Sequence, residues 1–421
     1  MLSAIDTEDT IPVGTTTHKV PQPTPRVLRI LERAMGLFDQ HVHSTPAHGN
    51  QRLHLRGMVG VLLAGAFEPA VHSLRTLDDL SLHASVQDLC GVGRVARSTL
   101  SDAMAKFDPQ SLAPLMRAIQ DQLPQMQRLD PETAHLTRKI IAADGSWFNL
   151  AGEVTHALQC RRGNAGRQYR VRLNLQLEID SFCPTDFDVS GKGDGNEAAA
   201  FIRSLQPDCI YLADRNFVSF RFVNAVLEKN SNLVLRLKKG VNFEVQQTLE
   251  LSEKDRIHNV RRDEVGILPG PQSPGNADAR SCSNKPPTRT LRLVTVWDEK
   301  NNKEVMLLTD LLDVPAHVIS VLYRLRWQIE LFLRWLKVLA GFEHLVSQSA
   351  RGITMQFYVA VLMTLLIHLH TGARVSKYGL IWVSWLASGR GTPEAMAQAM
   401  ARHENERISA ARRRAAKKKS A

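Results

Sequence analysis

Three patterns in the sequence predict an α/β protein. Residues 209–237 have the order strand, helix, strand within about 30 residues, which is the spacing of a βαβ unit. Before this unit, residues 140–177 contain short apolar or alternating runs that are typical of β-strands. Helical periodicity dominates both flanks, at 27–123 and 353–386. We therefore expect a central sheet between two helical regions.

The first 130 residues divide into an arm and a helical region. Residues 1–26 are rich in Thr and Pro without any period, so we expect a flexible arm. The spacing is helical from Val27 to about Leu123, within a predicted N-terminal helical region at 27–130. Within this region, a helix at 77–90, a stop at Gly91 and a helix capped by Ser98 would form a helix-turn-helix. Two packed helices of any bundle have the same pattern, so DNA binding by this region is one of two open interpretations.

The central region begins with strand patterns and ends with a long interruption. Three successive strands are expected to form a meander, and a Gly-rich acidic stretch without nucleotide-binding spacing is expected to be a loop. After the βαβ unit, a Gly/Pro/Ser/Asn-rich stretch is too long for a compact loop, and two strands flank a hairpin turn, which indicates a β-rich insertion. In order, the elements are strands at 140–143, 154–160 and 169–177, a loop at 186–195, a helix at 197–205, the Gly/Pro-rich stretch at 266–287, strands at 290–297 and 304–308, and a helix at 315–340.

These elements predict a domain organisation. The arm and the helical region come first, the core is split by the insertion, and helices and a basic tail follow. The predicted ranges are 1–26 for the arm, 27–130 for the N-terminal all-helical domain, 131–239 for the first part of the core, 240–305 for the insertion, 306–345 for the second part of the core, 346–410 for the C-terminal helical region and 411–421 for the tail.

Composition favours a globular protein with a polyanionic partner. The chain has 421 residues, 43% of them hydrophobic, and a formal net charge of +11 at pH 7. An excess of positive charge favours binding to polyanions such as DNA. Six of the positive charges lie in the last ten residues, so the tail exaggerates this character without creating it.

No targeting signal is apparent. The first residues carry acids where a secretory peptide has bases, so export is not expected. The longest apolar runs, 58–67 and 357–367, are shorter than the roughly 20 residues that span a bilayer. Five cysteines form no C-x-x-C pair, which argues against a zinc ribbon and suits a reducing compartment. We expect a cytoplasmic protein with no membrane partner.

Two aspartates directly follow apolar strands. Asp144 follows 140–143, and Asp214 follows 209–213. Because ligands of open α/β sheets bind at the carboxyl ends of the strands, both side chains are expected at one site. Each has a structural alternative, since Asp144-Gly145 is also a hairpin-turn dipeptide and Asp214 could cap the helix that begins near Phe217.

A third acid, Glu330, lies in a stretch without Gly or Pro, 323–337, which is predicted to form one helix. Its apolar residues fill one arc of the helix. The opposite face carries Tyr323, Arg326, Glu330 and Lys337. The alternative is a solvated surface on which Glu330 only pairs with Arg326 and Arg334. Each such i,i+4 pair would stabilise the helix by roughly a few tenths of a kcal/mol.

Together, the three acids predict a metal site. Carboxylates that converge in one cleft repel each other unless a cation lies between them. Oxygen ligands without Cys or His suit Mg²⁺, with Mn²⁺ as a substitute. A pair of such ions about 4 Å apart can hold both the entering and the leaving oxygen of a phosphodiester displacement. We therefore expect two ions bound by Asp144, Asp214 and Glu330.

The order of these blocks resembles that of a known family. Tyr323-x2-Arg326-x3-Glu330-x6-Lys337 matches the Y-R-E-K motif of the bacterial insertion-sequence DDE transposases, family four of the insertion sequences. Asp144-Gly145-Ser146 and Asp214-Arg215-Asn216 are similar to the blocks that carry this family's two aspartates. The resemblance covers about residues 136–345. It implies a specific α/β class, an RNase H-like catalytic core with a β-rich insertion.

The resemblance also implies a function. It is that of a DNA transposase, which cleaves the ends of an insertion sequence and transfers the strands into target DNA. The partners would be double-stranded DNA and a second copy of the chain in a synaptic homodimer, associated with the bacterial nucleoid. A structure-specific metal-dependent nuclease and an inactive relative that only binds element ends are the alternatives.

Four side chains are expected to contact DNA. Cations about one and two turns from Glu330 could hold the phosphates beside the cut, with Tyr323 adding a hydroxyl. In related enzymes an aromatic residue of the insertion stacks on a flipped base, and Trp297 is the one tryptophan between 240 and 305. Packing of this indole in a strand is the alternative. The expected DNA contacts are Tyr323, Arg326, Lys337 and Trp297.

Overall fold

In the computed structural model, ten strands form one mixed sheet with helices on both faces. The structure describes residues 25–43, 53–68, 71–124, 128, 130–150, 157–161, 167–192, 194, 197–238, 240–270, 285–339, 341–342, 345–372, 374–375, 377–387, 392, 394–399, 401–403, 405–406, 409 and 413. Several predicted segments lie wholly or mainly outside these residues: the arm, part of the strand at 154–160, most of the stretch 266–287, and the basic tail.

Among the described residues, six α-helices precede the sheet. They are α1 (Pro25–His41), α2 (Leu55–Ala66), α3 (Leu74–Leu80), α4 (Ala84–Cys90), α5 (Arg97–Lys106) and α6 (Ala113–Gln120). Gly91 ends α4 in the left-handed conformation with φ 64°, as expected of a glycine stop. The helix predicted at 77–90 is instead two helices, because the buried hydroxyl of Ser81 bonds to the carbonyl of Asp78 and ends α3. The predicted Ser cap is also wrong, since the N-cap of α5 is Ala96.

After the sheet, α12 (Ala350–Thr371) packs against α2, α5 and α6, and α13 (Lys377–Ala387) packs against α1. By length and composition α12 could cross a membrane, and 89% of its apolar window is buried inside the protein. The first helices, α12 and one face of the sheet share a continuous apolar core. The proposed domain boundaries stay predictions.

The first half of the sheet contains β1 (Lys139–Leu150), β2 (Leu158–Arg161), β3 (Arg167–Glu178) and β4 (Cys183–Ser190). The meander expected in chain order is wrong, because β3 lies between β1 and β2 and pairs with both in antiparallel orientation. β3 and β1 have twelve residues each and match over most of their length, whereas β2 has four. Part of the expected loop at 186–195 is strand β4, paired with β3.

The predicted βαβ unit is confirmed. It consists of β5 (Cys209–Ala213), α8 (Phe220–Glu228) and β6 (Asn232–Arg236), preceded by α7 (Glu197–Arg203). β5 pairs in parallel with β1 on one side and with β6 on the other. Every residue of β5 is buried, as expected for the central strand of a sheet covered on both faces. The carboxyl ends of three parallel strands therefore meet at one edge.

The segment between α8 and the last core helices continues the same sheet. It contains β7 (Glu244–Thr248), α9 (Glu253–Ile257), β8 (Val260–Ile267), β9 (Leu291–Asp298) and β10 (Lys303–Thr309). β10 pairs with β6 in antiparallel orientation, so these strands extend the core sheet at its edge. The hairpin turn expected at 298–302 is confirmed: Asp298 accepts a hydrogen bond from the Asn301 amide, and Asn302 is left-handed.

The helix predicted at 315–340 is divided. α10 (Ala316–Leu325) and α11 (Trp327–Arg334) meet at Arg326, and a π-helical turn follows at Trp335–Leu339. At the junction the amide of Arg326 donates a hydrogen bond to the carbonyl of Tyr323, and the amide of Ile329 donates one to the carbonyl of Arg326. These bonds reach back three residues instead of four, which tightens the turn without Gly or Pro.

A buried aspartate joins the insertion to α10. Asp255 of α9 accepts hydrogen bonds from the amide and hydroxyl of Ser252 and from the amide and ring of His317. Burial opposes ionisation, but these hydrogen bonds dominate and lower the pKa of Asp255 to about 2. The ionised carboxylate is thus part of the folded structure.

We expect Asp255→Asn to lower the free energy of unfolding by about 2 kcal/mol, since hydrogen bonds to a charged group contribute roughly that much. Because the folded pKa lies below the ordinary 3.8, the stabilisation is complete above pH 4 and is lost as the pH falls towards 2. Denaturant titration at pH 7 and pH 3 measures both effects. Glu253→Gln, an exposed change on the same helix, is the control; equal stability of the two variants would contradict the prediction.

Candidate active site

Asp144 and Asp214 lie side by side at the carboxyl edge of the parallel strands. Ala143 of β1 and Ala213 of β5 are the last pair in register, and each aspartate is the next residue. Asp144 does not end its strand, contrary to the expectation, because β1 continues to Leu150 in pairing with β3 alone. The sheet edge at Asp144 therefore arises because β5 ends at Ala213, and β1 has no partner on that side beyond Ala143 among the described residues.

The structural alternatives for the two aspartates are wrong. Asp144-Gly145 is inside a strand and forms no hairpin turn. The cap of α8 is Ser219, whose hydroxyl accepts from the amide of Phe222. Asp214 instead closes its own turn, with its carboxylate accepting from the amide of Asn216 at 2.7 Å. This bond holds the Asp214 side chain beside the end of β5.

Arg326 connects the first aspartate to Glu330. Its Nη2 donates to Glu330 Oε1 at 2.6 Å, and its Nη1 lies 3.8 Å from Asp144 Oδ2. The predicted i,i+4 pair exists, but the Arg326 side chain is only 14% exposed, so the pair is not on a solvated surface. Its Nε is buried and has no hydrogen-bond partner among the residues that the structure describes.

The electrostatics of Asp144 indicate that the three acids are close together. Burial raises the pKa of Asp144 to about 6, and the nearby guanidinium of Arg326 opposes this rise. The charges of Asp214 and Glu330 both raise it further. The charges of Asp214 and Glu330 thus act on Asp144, and Arg326 lies beside both Asp144 and Glu330.

The other members of the polar helix face are placed differently. Tyr323 is half-buried with its ring 5.6 Å from the Arg326 guanidinium, and burial raises the pKa of its hydroxyl. Lys337 points at β1, where its Nζ donates to the carbonyl of Trp147 at 2.6 Å and lies 4.6 Å from the Phe148 ring. Burial lowers the pKa of Lys337.

Trp297 lies near the end of β9, in register with Glu304 of β10. Its amide donates to the carbonyl of Asn259, and its side chain is partly exposed. Three strand-to-strand steps separate β9 from β5 in the sheet. No contact links Trp297 to the three acids among the described residues, so base stacking by Trp297 stays a prediction.

Sequence reasoning missed Glu197, the first residue of α7. A Cβ on Gly145 would lie 2.1 Å from Glu197 Oε1, so this carboxylate packs directly on the backbone next to Asp144. An acid in the first turn of a helix is common, because it interacts favourably with the helix dipole, and nothing local sets Glu197 apart. A signal did exist at Gly145, since Gly inside a strand often marks a close approach.

The chemical type of the donor atoms fits a hard divalent cation. Asp144, Asp214 and Glu330 present only carboxylate oxygens, which Mg²⁺ and Mn²⁺ prefer. In this conformation no three His, Cys, Asp or Glu side chains within the described part of the chain are arranged to hold one ion. The guanidinium of Arg326 lies between Asp144 and Glu330, at the place where positive charge is required.

Comparison with known families decides the assignment. The family described as Transposase DDE domain matches residues 135–366, more than half of the chain and all three acids. The chain belongs to the DDE transposase-domain family. This confirms the family that the sequence blocks indicated; membership in the Y-R-E-K group stays a prediction. Members of this family generally use divalent metal ions.

Individual relatives are distant. The chain is 22% identical over 214 residues to a protein of Sinorhizobium fredii named as a transposase, covering 50% of this chain and 56% of that protein. It is 23% identical over 205 residues to a protein of Geobacillus stearothermophilus named as the transposase of an insertion sequence element, covering 48% and 50%. The chain thus spans about half the length of the curated relatives that it matches.

Among solved structures, the chain is similar to the cryo-EM structure of the piggyBac transposase synaptic complex with hairpin DNA. The identity is 12%, and the match covers 93% of this chain and 85% of that one. A TM-score of 0.40 is too low to assign a fold.

Proposed function

We propose that this chain is the DNA transposase of a bacterial insertion sequence, which cleaves the element ends and transfers the strands into target DNA. The observation that carries the proposal is the meeting of Asp144, Asp214 and Glu330 at one edge of the sheet in a member of the DDE transposase-domain family. The RNase H-like core that this function implies is supported by the mixed sheet, in which β1 is antiparallel to β3 and parallel to β5.

Asp144, Asp214 and Glu330 would hold Mg²⁺, or Mn²⁺ in its place, with two ions bound when the site is complete. Bound metal would lower the pKa of the attacking hydroxyl and stabilise charge on the oxygens at phosphorus. The chain's part is to orient the oxygens: the turn at Asn216 fixes Asp214, pairing with β3 fixes Asp144, and the hydrogen bond from Arg326 fixes Glu330.

DNA binding is supported by charge and by one unpaired donor. The net charge is +11, and a buried N–H without a partner, such as Nε of Arg326, is costly unless a ligand supplies an acceptor. This atom has almost no exposed surface in this conformation, so a phosphate oxygen beside the cut would satisfy it once the Arg326 side chain turns outwards on DNA binding. Tyr323 and Lys337 on the same helical segment, and Trp297 on β9, are the other proposed DNA contacts. The partners are double-stranded DNA and a second copy of the chain, in the cytoplasm at the nucleoid.

The experiment compares Glu330→Gln with Lys337→Ala on a labelled element end and a target plasmid. Glu330→Gln should bind the end normally and cut it at least about 10²-fold more slowly, because one ligand oxygen charge is lost where the reaction needs it. Lys337→Ala should weaken binding several-fold, and if the amine contacts phosphate this defect should shrink as salt rises, because the variant releases fewer counterions than the parent.

The controls lie at the opposite edge of the sheet. Glu228→Gln and Lys229→Ala change the same residue types at exposed positions where α8 ends, and both should behave as the parent. Full cutting by Glu330→Gln would refute the proposal. Cutting by the parent without any joined product would favour a nuclease over a transposase.

A further inference from the structure

Glu197 reaches the candidate site from the face of the sheet opposite Glu330. Ile140 and Ala142 pack in the same core as α11, whereas Ile141 and Ala143 pack with α7. Because side chains alternate along a strand, Asp144 points to the α11 face, and Gly145 is open to the α7 face. The two helical layers thus bring one glutamate each to the same two residues of β1.

The contact at Gly145 is close and depends on the missing side chain. A Cβ there would meet Glu197 Oε1 at 2.1 Å and its Cδ at 2.9 Å, distances that real Cβ atoms do not show. The Gly145 amide itself donates to Asp144 Oδ1 at 2.8 Å. Glycine at 145 therefore admits the Glu197 carboxylate to the backbone beside Asp144.

The charges around Glu197 belong to the same site. Burial raises the pKa of Glu197 to about 7, Asp144 and Asp214 both add to the rise, and Arg172 opposes it. The pKa of a helix-capping acid on the surface would not be raised by burial and by two other carboxylates. Arg326 is paired with Glu330, whereas Arg172, whose Cδ lies 3.2 Å from the same Cβ position on Gly145, acts on Glu197 through its charge.

We propose that Glu197 is a fourth carboxylate of the active site and a ligand of the divalent cation that Asp144 and Asp214 hold. This inference rests on the proposed function, since it assigns a further ligand to the same metal site. Glu330 and Glu197 then approach Asp144 from opposite faces of the sheet, which would supply carboxylates for two cations that share Asp144.

The test is a Mn²⁺ titration of the full chain without DNA, in which the signal of free Mn²⁺ is followed by electron paramagnetic resonance. Glu197→Gln should weaken the affinity by at least about tenfold, the scale expected for loss of a group that supports a metal site. Gly145→Ala keeps every charge but pushes the Glu197 carboxylate away, so it should weaken binding in the same direction. Asp144→Asn should remove the specific binding.

Two controls separate a metal-binding role from a structural one. Glu228→Gln, an exposed change at the end of α8, should bind Mn²⁺ as the parent does. Without metal, Glu197→Gln should unfold at the same temperature as the parent or higher, because it removes repulsion between buried carboxylates; a lower Tm together with unchanged affinity would assign Glu197 a purely structural role.

The outcomes distinguish this inference from the proposed function. Parent-like binding by both Glu197→Gln and Gly145→Ala, with binding lost in Asp144→Asn, overturns the role of Glu197 and leaves the three-acid site intact. Parent-like binding by Asp144→Asn overturns the metal site itself, and the role of Glu197 with it. Weaker binding in both Glu197→Gln and Gly145→Ala supports the fourth carboxylate.

Discussion

Asp144→Ala is expected to reduce cleavage of element ends by about 10³-fold while leaving the binding of those ends nearly unchanged. The carboxylate lies beside Arg326, and the charges of Asp214 and Glu330 act on it, so its loss removes a proposed ligand of the site, and groups that stabilise developing charge contribute on this scale. Affinity for DNA depends mainly on phosphate contacts elsewhere. Gel-shift and nicking assays on one labelled end measure both quantities.

Loss of folding would not explain such a result. Burial raises the pKa of Asp144 to about 6, so the folded state favours the protonated carboxyl, and stability falls as the pH rises from about 4 to 6. At pH 7 the ionised carboxylate lowers the free energy of unfolding, so Asp144→Ala should be no less stable than the parent. Asp121→Ala, an exposed change at the end of α6, is the control; cleavage at the parent's rate by Asp144→Ala would exclude it from catalysis.

Arg292→Ala is expected to lower the free energy of unfolding by about 3–5 kcal/mol, the cost of breaking a buried ion pair. Arg292 of β9 makes two hydrogen bonds to Asp263 of β8, at 2.6 and 2.7 Å, and both side chains are only 4% exposed. Its Nη1 also donates to three carbonyls of the loop 311–314, which leads into α10. The variant would leave a buried charge and three acceptors without their donor.

An exposed ion pair next to this buried one supplies the control, since Arg262 precedes Asp263 on β8. Arg262 and Glu304 are 3.2 Å apart but about half exposed, so Arg262→Ala should cost under about 1 kcal/mol. The double variant Arg292→Met with Asp263→Leu should recover much of the loss, because no unpaired charge remains. Thermal and denaturant unfolding measure all three. If Arg262→Ala and Arg292→Ala lose similar free energies of unfolding, burial of the Arg292–Asp263 pair does not determine its contribution to stability.

Arg292 also links stability to the candidate site. The loop that it holds precedes α10, and α10 leads through Arg326 into α11 with Glu330. A shift of this loop would move the glutamate relative to Asp144, and small displacements of reacting groups reduce rates strongly. The β-rich segment therefore fixes the position of the helix that carries the third acid.

Local patterns in the sequence were sufficient for the central elements and for placing Asp144 and Asp214 at neighbouring positions. The apolar run of β5, the helix after it and the run of β6 form the expected parallel unit, because a fully buried strand needs apolar residues at every position. Asp214 lies at the end of β5 as expected. The blocks around Asp144, Asp214 and Glu330 also indicated the family that residues 135–366 match.

Other features depended on contacts between distant parts of the chain. Asp144-Gly145 has the composition of a turn, yet β1 continues through it because β3 offers a partner strand on that side. β4 has the composition of a loop and becomes a strand by pairing with β3. Lys337 and Arg326 have the spacing of surface cations, but packing of α11 against β1 turns them inwards.

The sequence by itself determined the parallel βαβ unit and the places of Asp144 and Asp214 after apolar runs, because the burial of a strand is readable from local hydrophobicity. The tertiary structure alone decided that Arg326 lies between Asp144 and Glu330, and that Glu197 joins them across Gly145. These two arrangements arise from the packing of helices on opposite faces of one strand. Such packing depends on sheet order and on which separate elements approach each other; Gly145 in a strand pattern indicates a close approach but does not identify the residue that makes it.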